Sequence, residues 1–155
     1  MTEIKNEHTW IAIGESLPDI KNAVTFAGRT DCGAINMFIG ATRNHEKDRV
    51  VRTLFYDCYI KMALSELQKI ADNIRTSYTS GGIVIWHRIG EVPVGEHSLV
   101  VVISSAHRNE AFTATAELVD RLKQNVPIWK KEHFEEGSLW KEEQKLNLTD
   151  SRLRK

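Results

Sequence analysis

Apolar residues recur along this chain with two periods, and the switches between them mark the elements. A polar start ending at His8 and Thr9 gives way to Trp10-Ile11-Ala12-Ile13, a run that predicts a short strand. Ser16 with Asp19 three residues on has the form of a capping box, predicting a helix from Leu17 to Ala27 that Gly28 stops. Gly33 to Gly40, GAINMFIG, is apolar, of strand length, and reads as a central strand. After the polar loop Ala41 to Arg49, the alternation in Val50 to Tyr59 predicts another strand. Lys61 to Tyr78 places Ala63, Leu67, Ile70, Ala71 and Ile74 on one helical face, and Ser80-Gly81-Gly82 ends it. Ile83 to Ile89 and Leu99 to Ser104 are two more strands. Their connection, GEVPVGEHS, carries turn chemistry at Pro93 and Gly95, so a hairpin is the economical reading.

From Glu110 to Val126, Phe112, Thr115, Val119, Leu122 and Val126 share one helical face. Pro127 has no amide hydrogen and drives Val126 out of the α region, so this third helix should end at about Asn125 or Val126. Four main strands and three helices in irregular alternation predict an α+β fold, a single domain with a mixed or antiparallel sheet packed by helices. Residues 1–145 are expected to form that domain. The polar LNLTDSRLRK stretch at 146–155 is expected to be a flexible C-terminal tail.

Composition narrows the function. The 155 residues carry 21 Lys+Arg against 21 Asp+Glu, and a net charge of zero argues against a general nucleic-acid binder. An anion site must then be a local cluster of cations. The first residues hold no long apolar run and nothing reaches membrane-spanning length, so a cytosolic protein is expected. Cys32 and Cys58, far apart and without a CxxC pair, fit reduced structural thiols. The six histidines lack metal-ligand spacing, and no metal or cofactor is expected. His45-Glu46 opens like HExxH, but Arg49 stands where the second histidine belongs. Phosphate-loop, dinucleotide and nucleophile-elbow motifs are missing too.

What remains is lysine and arginine chemistry. Lys123 falls in the last turn of the third helix, at the border of its apolar stripe, where partial desolvation of the ammonium is expected. Lys130 and Lys131 follow in extended chain after Trp129, a side chain large enough to pin the segment to the protein body. Two amines can then face one site from different backbone elements. A lysine near a helix C-terminus is most often only a solvated capping charge. His107 and Arg108 sit at the strand-to-helix junction, where free amides and the helix dipole favour an anion. They lie sixteen residues before Lys123, about 24 Å along a helix rising about 1.5 Å per residue. One small ligand reaches both ends only across a dimer interface. Arg43, in the polar loop, is a further candidate anion contact.

Five segments, GAINMFIGATRNH, WHRIGEVPVGE, SSAHRNEAF, LKQNVPIWKKE and, just after it, EEGSLWKE, together resemble the large, catalytic subunit family of molybdopterin synthase over about Gly33 to Trp140. The resemblance implies an α/β-hammerhead fold and a dimer within a heterotetramer, binding two copies of a small ubiquitin-like sulfur carrier. It implies a sulfurtransferase: the carrier's C-terminal Gly-Gly thiocarboxylate delivers sulfur to cyclic pyranopterin monophosphate, building the molybdopterin dithiolene. By position, Lys123 and Lys130 match the family's catalytic lysines. Arg43, His107, Arg108, Lys131 and Glu132 match its substrate-pocket positions, the His-Arg pair coming from the neighbouring subunit. A lysine desolvated among cations has its pKa lowered and can exchange protons near neutral pH. Lys123 would then serve the chemical step, while Lys130 and Lys131 hold an anionic group and Glu132 orients a lysine. The alternative is a non-catalytic module that binds a ubiquitin-like tail or a phosphate ligand.

Overall fold

The structure, a computed structural model, describes residues 1–135 and 137–140. Its first sheet is built from β1 (Thr2–Lys5), β2 (Thr9–Gly14), β3 (Ala34–Ala41), β6 (Ile83–Arg88) and β8 (His97–Ser105), in the order β1-β2-β6-β8-β3. It is mixed, because β2 and β6 run parallel while the other pairs are antiparallel. β6 is its middle strand. Its two side-chain rows go to opposite faces, as the period of two requires. Ile83 and Ile85 join Ile11, Ile13, Leu99, Val101 and Ile103 in the larger core, whereas Val84 and Trp86 join Trp10, Ala12, Val100 and Val102 in the smaller one.

Helices cover both faces. On the larger core lie α2 (Ile60–Tyr78) and α3 (Arg108–Asn125), which pack on each other and on the sheet. All five residues expected on the buried face of α2 are buried. α1 (Ile20–Ala27) closes the smaller core through Ala23 and Ala27. Its start differs from the expected Leu17. Asp19 is itself the N-cap, its carboxylate accepting the Lys21 amide at 2.9 Å, so the helix opens one turn later. In α3 the apolar stripe shifts by one residue from expectation. Ala111, Ala114 and Leu118 are buried with Thr115, Val119 and Leu122, and Phe112 is 58% exposed.

The second sheet holds the strands that sequence periodicity shows least. It has the order β10-β9-β5-β4, from β4 (His45–Glu46), β5 (Arg49–Cys58), β9 (Ile128–Phe134) and β10 (Gly137–Trp140). β7 (Gly90–Pro93) pairs with β5. The expected hairpin of β6 and β8 forms, in the register Ile83↔Ile103 to His87↔Leu99. Its connection is more than a turn, since the chain leaves the first sheet at Gly90 (φ 78°), where a side chain would be strained, and enters the second as β7. The two sheets therefore share one continuous chain beside His87. GAINMFIG is an edge strand, not a central one: among the described residues β3 bonds only to β8, and Ile35 and Met37 stand exposed. The expected tail at 146–155 lies outside the described residues.

Candidate active site

A cavity of about 950 Å³ opens where the end of α3 meets the second sheet. Val126 has extended backbone (φ −81°, ψ 127°), so the helix stops as Pro127 dictates, and the chain re-enters a sheet at once as β9. Lys123, in the last turn of α3, and Lys130, on β9, both line this cavity. Arg43 and Glu132 line it too. The strand period sets Lys130 and Glu132 on one face of β9 and Lys131 on the other, and Lys131 is not among the lining residues. His107, the N-cap of α3, and Arg108, its first residue, are exposed at the far end of that helix and do not reach the cavity. Two expectations change here. Trp129 is 47% exposed, so pairing with β5, in the register Tyr56↔Lys130, pins the segment instead. Lys123 is exposed in the single chain, because its place after Leu122 turns it out of the stripe and toward the cavity, so the expected partial desolvation is not found.

The cations of the site stand in different company. Arg43 donates to Glu46 Oε2 at 2.7 Å. Lys130 Nζ is 3.4 Å from Glu132 Oε1, and that carboxylate is 1% exposed, so the lysine offsets a charge taken out of water. Among the described residues, no ion pair forms with Lys123.

Three cavity residues that the sequence reading did not single out form the floor. Tyr56 (β5) packs edge-on against His87 (β6), ring centroids 5.1 Å apart. Burial raises the Tyr56 hydroxyl above its ordinary pKa and the Glu132 charge adds to this, while a hydrogen bond with Ser98 opposes it. His87 is buried, and that burial pushes its pKa down to about 4. The hydrogen bond to the Arg88 carbonyl works against that shift, and the Lys123 charge works with it. A signal for His87 was present: it is the one polar side chain in the row Ile83, Ile85, His87 of a strand buried on both faces. Cys58 is a poor nucleophile here, since burial and the neighbouring Asp57 push its thiol up. Among the described residues no cluster of three His, Cys, Asp or Glu side chains could hold a metal.

A family model described as MoaE protein matches residues 14–125. The chain belongs to the MoaE protein family. It is 46% identical to the molybdopterin synthase catalytic subunit of Homo sapiens over 110 residues, covering 71% of this chain and 58% of that protein. With the subunit of the same name from Pyrococcus abyssi it shares 39% identity over 122 residues, 79% of this chain and 82% of the relative. This MoaE-family chain thus spans less than two thirds of the human relative and most of the archaeal one. Its fold is similar to the crystal structure of molybdopterin synthase from Staphylococcus aureus, with a TM-score of 0.78 and 32% identity over 84% of this chain and 94% of that one. The MoaE protein of Burkholderia ambifaria matches with a TM-score of 0.72 at 26% identity, over 84% and 86% of the two chains. The α+β architecture, with three helices and two sheets among the described residues, is therefore the family's own.

Proposed function

We propose that this chain is the catalytic subunit of a molybdopterin synthase. In this reading it is a sulfurtransferase that moves sulfur from the C-terminal thiocarboxylate of a small ubiquitin-like carrier to cyclic pyranopterin monophosphate, two transfers making the dithiolene. The observation that carries it is the convergence of Lys123 and Lys130, from a helix end and a neighbouring strand, on one cavity in a MoaE-family chain. The catalytic-subunit relatives support the same reading.

The two lysines divide the work. Lys123, without an ion-pair partner among the described residues, gives and takes protons as sulfur adds and oxygen leaves. Lys130, set by buried Glu132, holds the carboxylate or phosphate of the ligands. Arg43 adds a cation at the same cavity. His107, Arg108 and Lys131 enter a site only if a second copy supplies them, so the working unit is a dimer within a heterotetramer with two carriers. Residues 1–145 then act as one catalytic domain followed by a tail. A soluble carrier and a charged pterin phosphate make the cytosol its place of work. The test is direct: incubation with thiocarboxylated carrier and the pterin substrate, with the dithiolene product as readout. Binding of carrier without product would leave only a tail-binding module.

A further inference from the structure

His87 sits where the inward row of β6 runs out from under the helices. Ile83 and Ile85, earlier in that row, belong to the larger core beneath α2 and α3, and His87 comes next, opposite Leu99 of β8, at the end of α3. The residue is 5% exposed. Its Nδ1 is 2.7 Å from the Arg88 carbonyl oxygen, an atom that only accepts, so Nδ1 carries the proton and Nε2 is left with a lone pair. Nε2 has no hydrogen-bond partner among the described residues, nor is it among the buried polar atoms sealed from solvent without one. That lone pair is therefore open to the cavity that His87 helps to line.

Lys123 lines the same cavity, and its charge is felt at His87. An ammonium without an ion-pair partner among the described residues that shares a cavity with an unused acceptor has one obvious local solution. We propose that His87 is a positioning residue for Lys123, its Nε2 accepting a hydrogen bond from the lysine ammonium and so fixing the amine over the cavity. A carboxylate at this place would lock the proton onto the amine by charge; an imidazole orients it without adding a negative charge. The Tyr56 ring and the Arg88 carbonyl hold the imidazole plane, so that the direction of the lone pair is set before any ligand arrives.

Two near-isosteres separate this role from a structural one. In His87→Gln the side-chain oxygen can take the place of Nε2, whereas in His87→Asn the amide nitrogen takes the place of Nδ1 and keeps only the bond to the Arg88 carbonyl. The inference bears on the proposed sulfur transfer but can be read without it. Full-length wild type and both variants, checked for equal melting cooperativity, are treated with a lysine-acylating reagent, and Lys123 and Lys130 are followed by peptide mass spectrometry. Acylation of Lys123 should rise several-fold in His87→Asn and stay near wild type in His87→Gln, with Lys130 unchanged in both. In the dithiolene assay, kcat should fall at least tenfold in His87→Asn with KM little changed, and His87→Gln should recover most of it. Equal Lys123 labelling in all three proteins would overturn the proposal. So would the opposite order, Gln perturbed and Asn normal, which would assign His87 to the strand corner alone. Wild type that makes no dithiolene would defeat the sulfur-transfer reading, while the labelling result would still decide the role of His87.

Discussion

Lys123 carries the sharpest prediction at the scale of single residues. If Lys123 is the proposed acid-base group, Lys123→Ala should lose on the order of 10²–10⁴ in turnover, the usual contribution of such a group, while still binding carrier, whose affinity should come from a wider surface. Lys123→Arg keeps the charge but cannot release a proton near neutral pH. Near-normal turnover of that variant in the dithiolene assay would end the acid-base role. His87 gives a second prediction, on stability. It faces the Tyr56 ring from β5, Leu99 from β8, Lys123 from α3 and the Arg88 carbonyl, and stays neutral in the fold down to about pH 4. The unfolded chain takes up that proton below about 6.5. More protons on the unfolded side mean that stability falls as pH drops from about 6.5 toward 4, by about 3 kcal/mol for this group. Urea titrations at pH 7 and 4.5 should show this fall in wild type and a smaller one in His87→Gln. Parallel pH dependences would show that His87 takes up its proton in the folded state as well. The histidine was hard to find from sequence because His87 has no partner in motif spacing. Its meaning lies in Tyr56 and Lys123, which pairing and packing bring from distant parts of the chain.

At the scale of elements, α3 and β9 act as one device with Pro127 as its joint. Extending the helix past Val126 would rotate Lys130 away from Tyr56, its partner across the sheet. Pro127→Ala removes the bar against helical Val126. It should lower turnover more than it lowers the melting temperature, as paired activity and thermal-melt measurements would reveal; equal turnover would show that β9 pairing alone sets the joint. This joint was legible, because proline acts locally and the apolar stripe upstream is helical whatever it packs against. β1 and β7 were not. The sequence TEIK has one apolar residue, Ile4, and β7 is four residues in what reads as turn; both exist because a neighbouring strand offers its edge. β3 misled in the opposite direction. Its apolar row suggests burial on both sides, yet Ile35 and Met37 remain exposed at the edge of the sheet.

For the whole molecule, the separation of His107 and Arg108 from the cavity makes assembly the question. The isolated chain should scatter light as about twice 17.7 kDa at micromolar concentration, with a strict monomer ruling out a shared site. Mixing Arg108→Ala with Lys123→Ala chains should restore about one working site per heterodimer if the site crosses subunits. No recovery would assign all required groups to one chain. The cavity itself was only half legible. Its cations were found as a cluster in sequence, but its floor is assembled from β5, β6 and β8, and no local pattern announces such a meeting.

The parallel bond between β2 and β6 sets the order of events in time. Thr9 finds its partner in Ile83, and the segments between must be made before that pair can close. Non-local pairing of this kind slows folding, since the loop is ordered before the contacts reward it. During synthesis β2, whose Ile11 and Ile13 end up wholly buried, has β1 on one side but waits for its other neighbour, β6, until Arg88 has emerged. β9, which carries Lys130, is made later still. The cavity is thus among the last parts of the newborn chain to take shape.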